Sequence, residues 1–137
     1  MVLATKFTNR TTQEIENHVS GREHVLRSLD QSLQNLQTDY VDLYIYHIWD
    51  WLTPMAEIMA GLNEAVQAGK VRYIGISNAY SWQIAQINAL AVRYGYPQFV
   101  SIQSHYNGCK RAVHFWPNTW STVPRLDVAR HIENNDW

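Results

Sequence analysis

Two spacings of apolar residues alternate along this chain. Short, nearly continuous apolar runs are followed by longer segments in which apolar residues recur every three or four positions. Short runs rich in β-branched and aromatic residues are typical of buried strands, and the longer spacing is typical of amphipathic helices. The pattern predicts four strands, near residues 2–5, 40–46, 71–76 and 99–103.

Helix start and stop signals lie between these strands. Ser20 and Glu23 have the spacing of a capping box, which predicts a helix that begins there and presents one apolar stripe. Thr53, as an N-cap before a first-turn proline, predicts a second helix that stops at Gly69. A third helix is predicted over residues 81–94, with Gly95 as its stop. The Thr- and Asn-rich stretch before Ser20 predicts a loop.

Strand and helix alternate with almost no hairpin signal, and this order defines an α/β fold of parallel strands joined by right-handed crossovers. Periodicity alone leaves open whether the strands close into an eight-stranded barrel or form an open, doubly wound sheet. No Gly-x-Gly-x-x-Gly motif follows any of the four predicted strands, which disfavours an open dinucleotide-binding sheet.

Composition narrows the classes of function. The chain has 137 residues, 46% of them hydrophobic, which is enough for one globular unit. Its net charge of -1 and the lack of a basic stripe argue against nucleic acid as a partner. A single cysteine, Cys109, fits an inert thiol in a reducing compartment. Neither a signal peptide nor a run of roughly 20 apolar residues is found, so we expect a cytoplasmic protein without a membrane partner.

Four pieces of sequence carry a resemblance to a known family. They are Leu-Ala-Thr-Lys at residues 3–6, Leu-Gln-Thr-Asp-Tyr-Val-Asp-Leu-Tyr-Ile-Tyr-His at 36–47, Ala-Gly-Lys-Val-Arg-Tyr-Ile-Gly-Ile-Ser-Asn at 68–78 and Ser-Ile-Gln at 101–103. In this order and spacing they resemble the aldo-keto reductases. The resemblance implies a partial (β/α)8 TIM barrel over residues 1–107, comprising strands three to six of the family, with parallel strands and outer helices. Residues 108–137 form a divergent tail.

The resemblance implies two catalytic residues. Lys6 matches the lysine that lowers the pKa of a catalytic tyrosine, because a neighbouring cation favours the phenolate. His47 matches the histidine that orients and polarises the substrate carbonyl. Without the resemblance, Lys6 is a solvated lysine at a strand end and His47 a half-buried, hydrogen-bonded imidazole.

The resemblance also implies a cofactor, NADPH or NADP, and no metal ion. Ser77, Asn78 and Gln103 match the polar groups that bind the nicotinamide carboxamide. The alternative for Ser77 and Asn78 is the start of a turn, and for Gln103 a hydrogen-bonded core amide. Trp49, together with Trp51, is a candidate wall of an aromatic substrate pocket. Packing beneath the following helix is an equal alternative.

The sequence departs from the family at both ends. The catalytic tetrad also needs an aspartate and a tyrosine that precede the lysine strand, and only five residues precede Lys6. None of the eight tyrosines matches the tetrad by motif. We therefore expect NADPH-dependent reduction of aldehydes or ketones, the activity of the family, to be impaired in this chain. The departing tail also removes the family's contacts to the adenosine end of the cofactor.

Two other functions stay open. Barrels of this family also serve as β subunits of potassium channels, so a regulatory or binding subunit is one alternative, although His47 argues against it. A catalytically silent fragment is the other. In each case the strands at 2–5 and 99–103 would lack a neighbour on one side, which predicts self-association through open strand edges.

Overall fold

The computed structural model describes residues 2–47 and 49–103, in which strands and helices alternate. The elements are β1 (Ala4–Phe7), α1 (Thr12–Glu16), α2 (Gly21–Leu36), β2 (Val41–His47), α3 (Met55–Gln67), β3 (Val71–Ser77), α4 (Ser81–Tyr94) and β4 (Phe99–Gln103). None of the helices in this part of the chain has the length and apolar character needed to cross a membrane.

The four strands form one sheet in the order β1-β2-β3-β4, and every neighbouring pair is parallel. The predicted α/β fold is therefore confirmed, and the architecture is consistent with part of a TIM barrel. Each strand lies next to the one that precedes it in sequence, as expected when each connection carries a helix across the same face of the sheet.

The core lies between this sheet and helices α2, α3 and α4. Phe7 stacks on Tyr44 and Tyr46 of the neighbouring strand, with ring centroids 4.7 and 5.1 Å apart. The buried phenol of Tyr44 donates to the carbonyl oxygen of Val25 in α2 at 3.1 Å, which ties the sheet to the helix layer. At the far edge, the backbone N–H of Phe99 donates to Asn88 Oδ1 of α4 at 3.1 Å.

A β-bulge between β3 and β4 sets the side chains of β4. Ile74 pairs with Phe99, but the next residue, Gly75, pairs with Ser101, so Val100 is left over. Because side chains alternate along a strand, the extra residue keeps Phe99 and Ile102 on the helix-facing side. It turns Ser101 and Gln103 to the other face. Without the bulge, Gln103 would be one register position out of line with β3.

Two boundaries before Ser20 differ from the prediction. Strand β1 begins at Ala4 and continues through Lys6 to Phe7, and the N–H of Leu3 before it donates to the Asp42 carboxylate at 2.9 Å. The predicted loop contains the short helix α1. A capping box starts it, in which Thr11 and Glu14 each accept the other's backbone N–H. The helix has no buried residue, so no apolar stripe announces it.

The predicted cap of α2 is confirmed and that of α3 is wrong. Ser20 Oγ accepts the N–H of Glu23 at 3.2 Å, although the Glu23 carboxylate pairs with Arg27 and does not complete the box. The N-cap of α3 is Pro54, and no side chain caps this helix. Thr53 is unavailable as a cap because its hydroxyl bonds to Asp50.

Candidate functional site

Three predicted site residues end three neighbouring strands in one register row. His47 of β2 pairs with Ser77 of β3, and Ser77 pairs with Gln103 of β4. Partners in a parallel register present their side chains on the same face of the sheet. The row therefore brings an imidazole, a hydroxyl and a carboxamide together at the carboxyl end of the sheet, where barrel enzymes place their chemistry.

Lys6 lies on the same face, one strand away. It pairs with Ile45, which precedes His47 by two residues and so shares its side of the sheet. Its neighbour Phe7 points the other way, into the core. The Lys6 side chain is exposed, and within residues 2–47 and 49–103 no carboxylate lies within ion-pair distance of it. The sheet thus presents the lysine and the histidine on one open face.

Asn78 connects two members of the row. Its backbone N–H donates to the carbonyl oxygen of Gln103 at 3.3 Å, and its side-chain Nδ2 lies 3.1 Å from Nε2 of His47. The residue has φ of 50°, in the left-handed region that asparagine tolerates better than most residues. This backbone turn directly after β3 brings the amide back toward the histidine.

The side-chain oxygen of Gln103 meets no hydrogen-bond donor within residues 2–47 and 49–103. Its Oε1 is buried, and no donor from the described residues reaches it. A buried acceptor left unpaired costs free energy, and such groups in native proteins usually meet a partner that is not shown. The amide N–H of a nicotinamide carboxamide is a donor of the right kind, so the residues present fit the cofactor that the resemblance implies.

Trp49 begins a series of aromatic rings and packs against the helix-facing core. Its ring centroid lies 6.2 Å from that of Tyr46 and 6.4 Å from that of Trp51. Trp51 in turn lies 6.2 Å from Trp82, in the first turn of α4. Trp49 is half-buried, whereas Trp51 and Trp82 are 69% and 55% exposed. The series leads from the core out to the surface at the carboxyl end of the sheet.

Neither tyrosine of β2 takes the place of the tetrad tyrosine. Tyr44 and Tyr46 point into the helix-facing core, on the opposite side of the sheet from His47. Burial raises the pKa of Tyr46 to about 12, with the Asp50 carboxylate adding to the rise and a backbone hydrogen bond from Asp50 opposing it. Burial also raises the pKa of Tyr44 above its ordinary value. A catalytic phenol needs the opposite shift.

One cleft that the described residues form lies at the other end of the sheet. It has a volume of about 730 Å³ and is lined by Asp30, Leu33, Gln34, Gln37, Thr38, Asp39 and Lys70. These residues end α2 or precede β2 and β3, so they adjoin the amino ends of the strands. Leu33 is the one buried apolar residue in its lining. The lining also contains the ion pair between Asp30 and Lys70, with a distance of 2.6 Å. None of the candidate site residues lines this cleft.

Comparison with known proteins decides the family. The model of the aldo/keto reductase family matches residues 1–115. The chain belongs to this family. The resemblance inferred from the four sequence pieces is therefore confirmed. Aldo/keto reductases are oxidoreductases that generally use NADP(H). The match ends within the predicted tail, and residues 108–137, with Cys109, lie outside the described part of this aldo/keto reductase chain.

Several curated fungal relatives are similar to it. Norsolorinic acid reductase B of Aspergillus parasiticus is 38% identical over 117 residues, which cover 81% of this chain and 31% of the relative. An aryl-alcohol dehydrogenase of Pestalotiopsis microspora is 35% identical over 116 residues, 81% of this chain and 30% of the relative. Versiconal hemiacetal acetate reductase of Aspergillus parasiticus is 40% identical over 87 residues, 64% and 25%. The chain spans less than a third of the length of these relatives.

Sequence reasoning missed a group of hydrogen-bonded residues in the loops after β1 and β2. Arg10, Asp50 and Thr53 form this cluster, in which Asp50 and Thr53 belong to the segment that carries Trp49 and Trp51. The spacing of Asp50 and Leu52 is that of an Asx turn, which could have been read from the sequence. The bond from Arg10 to Thr53 could not have been read from the sequence, because 43 positions separate the two residues.

Proposed function

We propose that this chain carries the nicotinamide-binding and carbonyl-binding part of an NADPH-dependent aldehyde or ketone reductase. The observation that supports it best is the register row of His47, Ser77 and Gln103, with Lys6 on the same face. A hydride acceptor and the ring that supplies the hydride must lie side by side, and one sheet face that offers groups for both meets this requirement.

In this proposal Ser77, Asn78 and Gln103 hold the carboxamide of the cofactor, which when bound supplies a hydride. The Oε1 of Gln103, which meets no donor within the described residues, accepts a carboxamide N–H, and buried Ser77 offers a hydroxyl on the strand next to that of His47. A ring held through its carboxamide presents a constant face to the substrate. The chain's own contribution is therefore orientation, which is a large part of the catalysis of a bimolecular transfer.

His47 and Lys6 serve the carbonyl side. His47 donates a hydrogen bond that orients and polarises the carbonyl oxygen, and Lys6 places a positive charge on the face where negative charge develops on that oxygen. Lys6 also suits the role of lowering the pKa of a phenol supplied next to it. Trp49 lines the substrate pocket. An aryl-alcohol dehydrogenase among the relatives is consistent with an aromatic wall there.

Cofactor binding tests the proposal. A polypeptide of these 137 residues should enhance or quench NADPH fluorescence on titration, and Gln103→Met, which keeps the side-chain length but removes the acceptor, should weaken binding about five- to tenfold. Gln86→Met, at an exposed position on the outer side of α4, is the matched control and should leave binding unchanged. Wild-type polypeptide that binds no NADPH, or equal binding by the Gln103 variant, would contradict the proposal.

We also propose that the polypeptide self-associates through its strand edges. Within the described residues, β1 and β4 each pair on one side only, which leaves two rows of backbone donors and acceptors. Sedimentation of the polypeptide should show a dimer or a larger species. A monomer with a sharp cooperative melt would overturn this expectation.

A further inference from the structure

The segment that follows His47 buries its polar residues and exposes its apolar ones. Asp50 and Thr53 are each 6% exposed, whereas Trp51 and Leu52 are 69% and 70% exposed. Hydration alone would expose the polar side chains and bury the apolar ones, because carboxylates are almost never fully buried without partners. A specific set of hydrogen bonds therefore holds residues 49–53 in this arrangement.

The Asp50 carboxylate is the centre of this set. Its Oδ1 accepts the backbone N–H of Leu52 at 2.8 Å, and its Oδ2 accepts the hydroxyl of Thr53. The N–H of Asp50 donates to the phenol oxygen of Tyr46, also at 2.8 Å. These bonds close a turn around Trp51 and anchor it to a core residue of β2. Charge-assisted bonds of this kind are stronger than those between neutral groups.

Arg10 completes the set from another loop. Its Nε donates to Thr53 Oγ1 at 2.8 Å, and its two terminal nitrogens donate to the carbonyl oxygens of Val19 at 2.8 Å and Leu52 at 3.2 Å. A guanidinium has no acceptor, so the Thr53 hydroxyl must accept from Arg10 and give its own hydrogen to Asp50. The direction of every bond from Arg10 to Asp50 is thereby determined.

This set joins the two loops that follow the candidate catalytic residues. Arg10 lies four positions after Lys6 in the loop between β1 and α1, and Asp50 lies three positions after His47 in the loop between β2 and α3. Trp49 and Trp51 flank Asp50, and Trp51 contacts Trp82 of α4. The bonds therefore fix the loop that carries both tryptophans relative to the ends of β1 and β2.

We propose that Arg10, Thr53 and Asp50 form a positioning clamp that holds Trp49 and Trp51 in place as the wall of the substrate site. The effect on substrate rests on the function proposed above, whereas the clamp itself does not. None of the three residues needs to touch substrate. Their contribution is to keep an exposed aromatic wall ordered before the substrate arrives, which lowers the entropy lost on binding.

Thr53 offers a sharp test, because its two branches have separate partners. The methyl Cγ2 packs against Gly21, and only the hydroxyl takes part in the clamp. Thr53→Val keeps the methyl and removes the hydroxyl, whereas Thr53→Ser keeps the hydroxyl and removes the methyl. Arg22→Ala removes an arginine from an exposed ion pair with Glu64 and controls for the loss of charge in a companion Arg10→Ala variant.

The direct measurement is fluorine NMR of polypeptide labelled with 5-fluorotryptophan, with the signals of Trp49 and Trp51 assigned by Trp→Phe replacement. Thr53→Val and Arg10→Ala should shift or broaden both signals, and exchange of the Leu52 amide should accelerate about tenfold as its acceptor loses support. Thr53→Ser and Arg22→Ala should preserve the wild-type signals. Unchanged Trp49 and Trp51 signals in a folded Thr53→Val variant would overturn the clamp.

A functional arm separates this proposal from the function on which it partly rests. In the NADPH complex of the 137-residue polypeptide, Thr53→Val should weaken the binding of an aromatic aldehyde in calorimetric titration while NADPH affinity stays at the wild-type value, and Thr53→Ser should restore aldehyde binding. If NADPH does not bind at all but the fluorine spectra still separate Val from Ser, the clamp stands and the proposed function fails. If Thr53→Val does not fold, the Arg10→Ala and Arg22→Ala pair decides through the same signals.

Discussion

Nδ2 of Asn78 lies 3.1 Å from Nε2 of His47. An amide nitrogen can only donate, so Nε2 accepts this bond and the proton of a neutral imidazole resides on Nδ1. For Nε2 to donate to a substrate carbonyl, the Asn78 amide must turn away from it. A cofactor carboxamide that forms a hydrogen bond with Asn78 would release Nε2 of His47 for the substrate carbonyl. Cofactor binding and substrate binding are therefore coupled in the proposed site.

This contact leads to a prediction about the His47 tautomer. In Asn78→Ala, Nε2 loses its donor, and we expect the population with the proton on Nδ1 to fall in nitrogen-15 NMR spectra of the imidazole. Asn78→Gly removes the same side chain but fits φ of 50°, so it should show the same tautomer change and be more stable than Asn78→Ala by about 1 kcal/mol. An unchanged tautomer in both variants would contradict the hydrogen bond.

Gly75 allows β3 and β4 to approach on the site face. A Cβ on this residue would lie 2.5 Å from Ser101 Oγ and 3.3 Å from Ile45 Cγ1. We therefore expect Gly75→Ala to reduce the free energy of unfolding by about 1–3 kcal/mol, measured in urea. Ser101→Gly should restore part of this loss in the double variant. Additive effects of the two changes would show that the contact does not limit the spacing.

Gln37 ends α2 in a conformation that suits glycine better. Its φ is 53°, and the N–H of Thr38 reaches back to the carbonyl of Leu33, as in a Schellman motif. Gln37→Gly should raise the free energy of unfolding by about 0.5 kcal/mol, since relief of left-handed strain exceeds the entropy that glycine adds to the unfolded chain. Gln34→Gly, within the same helix, should lower it by about 1 kcal/mol. A loss of stability in both variants would refute the first expectation.

A carboxylate in α1 makes stability depend on acidity. Burial opposes ionisation of Glu14, but hydrogen bonds from His24 and Thr11 outweigh it and lower its pKa from 4.5 to about 2. A lowered pKa in the folded state means that the stabilisation is complete above pH 4.5 and is lost as the pH falls toward 2. Partial exposure reduces the effect, so we expect a loss of about 1–2 kcal/mol across this interval.

Glu14→Gln removes this carboxylate and so measures its contribution to the pH dependence of stability. Nδ1 of His24 lies 2.9 Å from the Glu14 carboxylate and Nε2 lies 2.8 Å from the carbonyl oxygen of Thr8, so both ring nitrogens face acceptors. The glutamine variant should be less stable at neutral pH, and its stability should vary less between pH 4.5 and 2 in urea titrations. Glu16→Gln, at an exposed position of the same helix, should keep the wild-type profile. Identical profiles for all three proteins would exclude Glu14 as the cause.

Turnover by a polypeptide of these 137 residues should be no more than a trace. General acid catalysis contributes roughly a hundredfold to ten-thousandfold, and neither Tyr44 nor Tyr46 faces the site to provide it. Consumption of NADPH with a panel of small aldehydes measures this directly. Steady consumption that Lys6→Met abolishes would mean that another group supplies the proton.

The sequence by itself determined the parallel α/β order and the place of the candidate residues. The strands are short and apolar, and the long helices between them carry apolar stripes with start or stop signals, so the periodicity required little information from distant parts of the chain. His47, Ser77 and Gln103 could be assigned to strand ends because they terminate apolar runs. Helix α1 was missed because the helix is held by a capping box and buries no residue.

The tertiary structure decided how these strand ends meet. The bulge at Val100 places Gln103 beside Ser77, and a shift of one residue would turn its side chain to the opposite face. The Asn78 contact with His47 spans 31 positions, and the Arg10 bond to Thr53 spans 43. Periodicity reports only which face of its own element a residue occupies. Hydrogen bonds between distant loops depend on register and on backbone turns, and these are established only when the sheet is assembled.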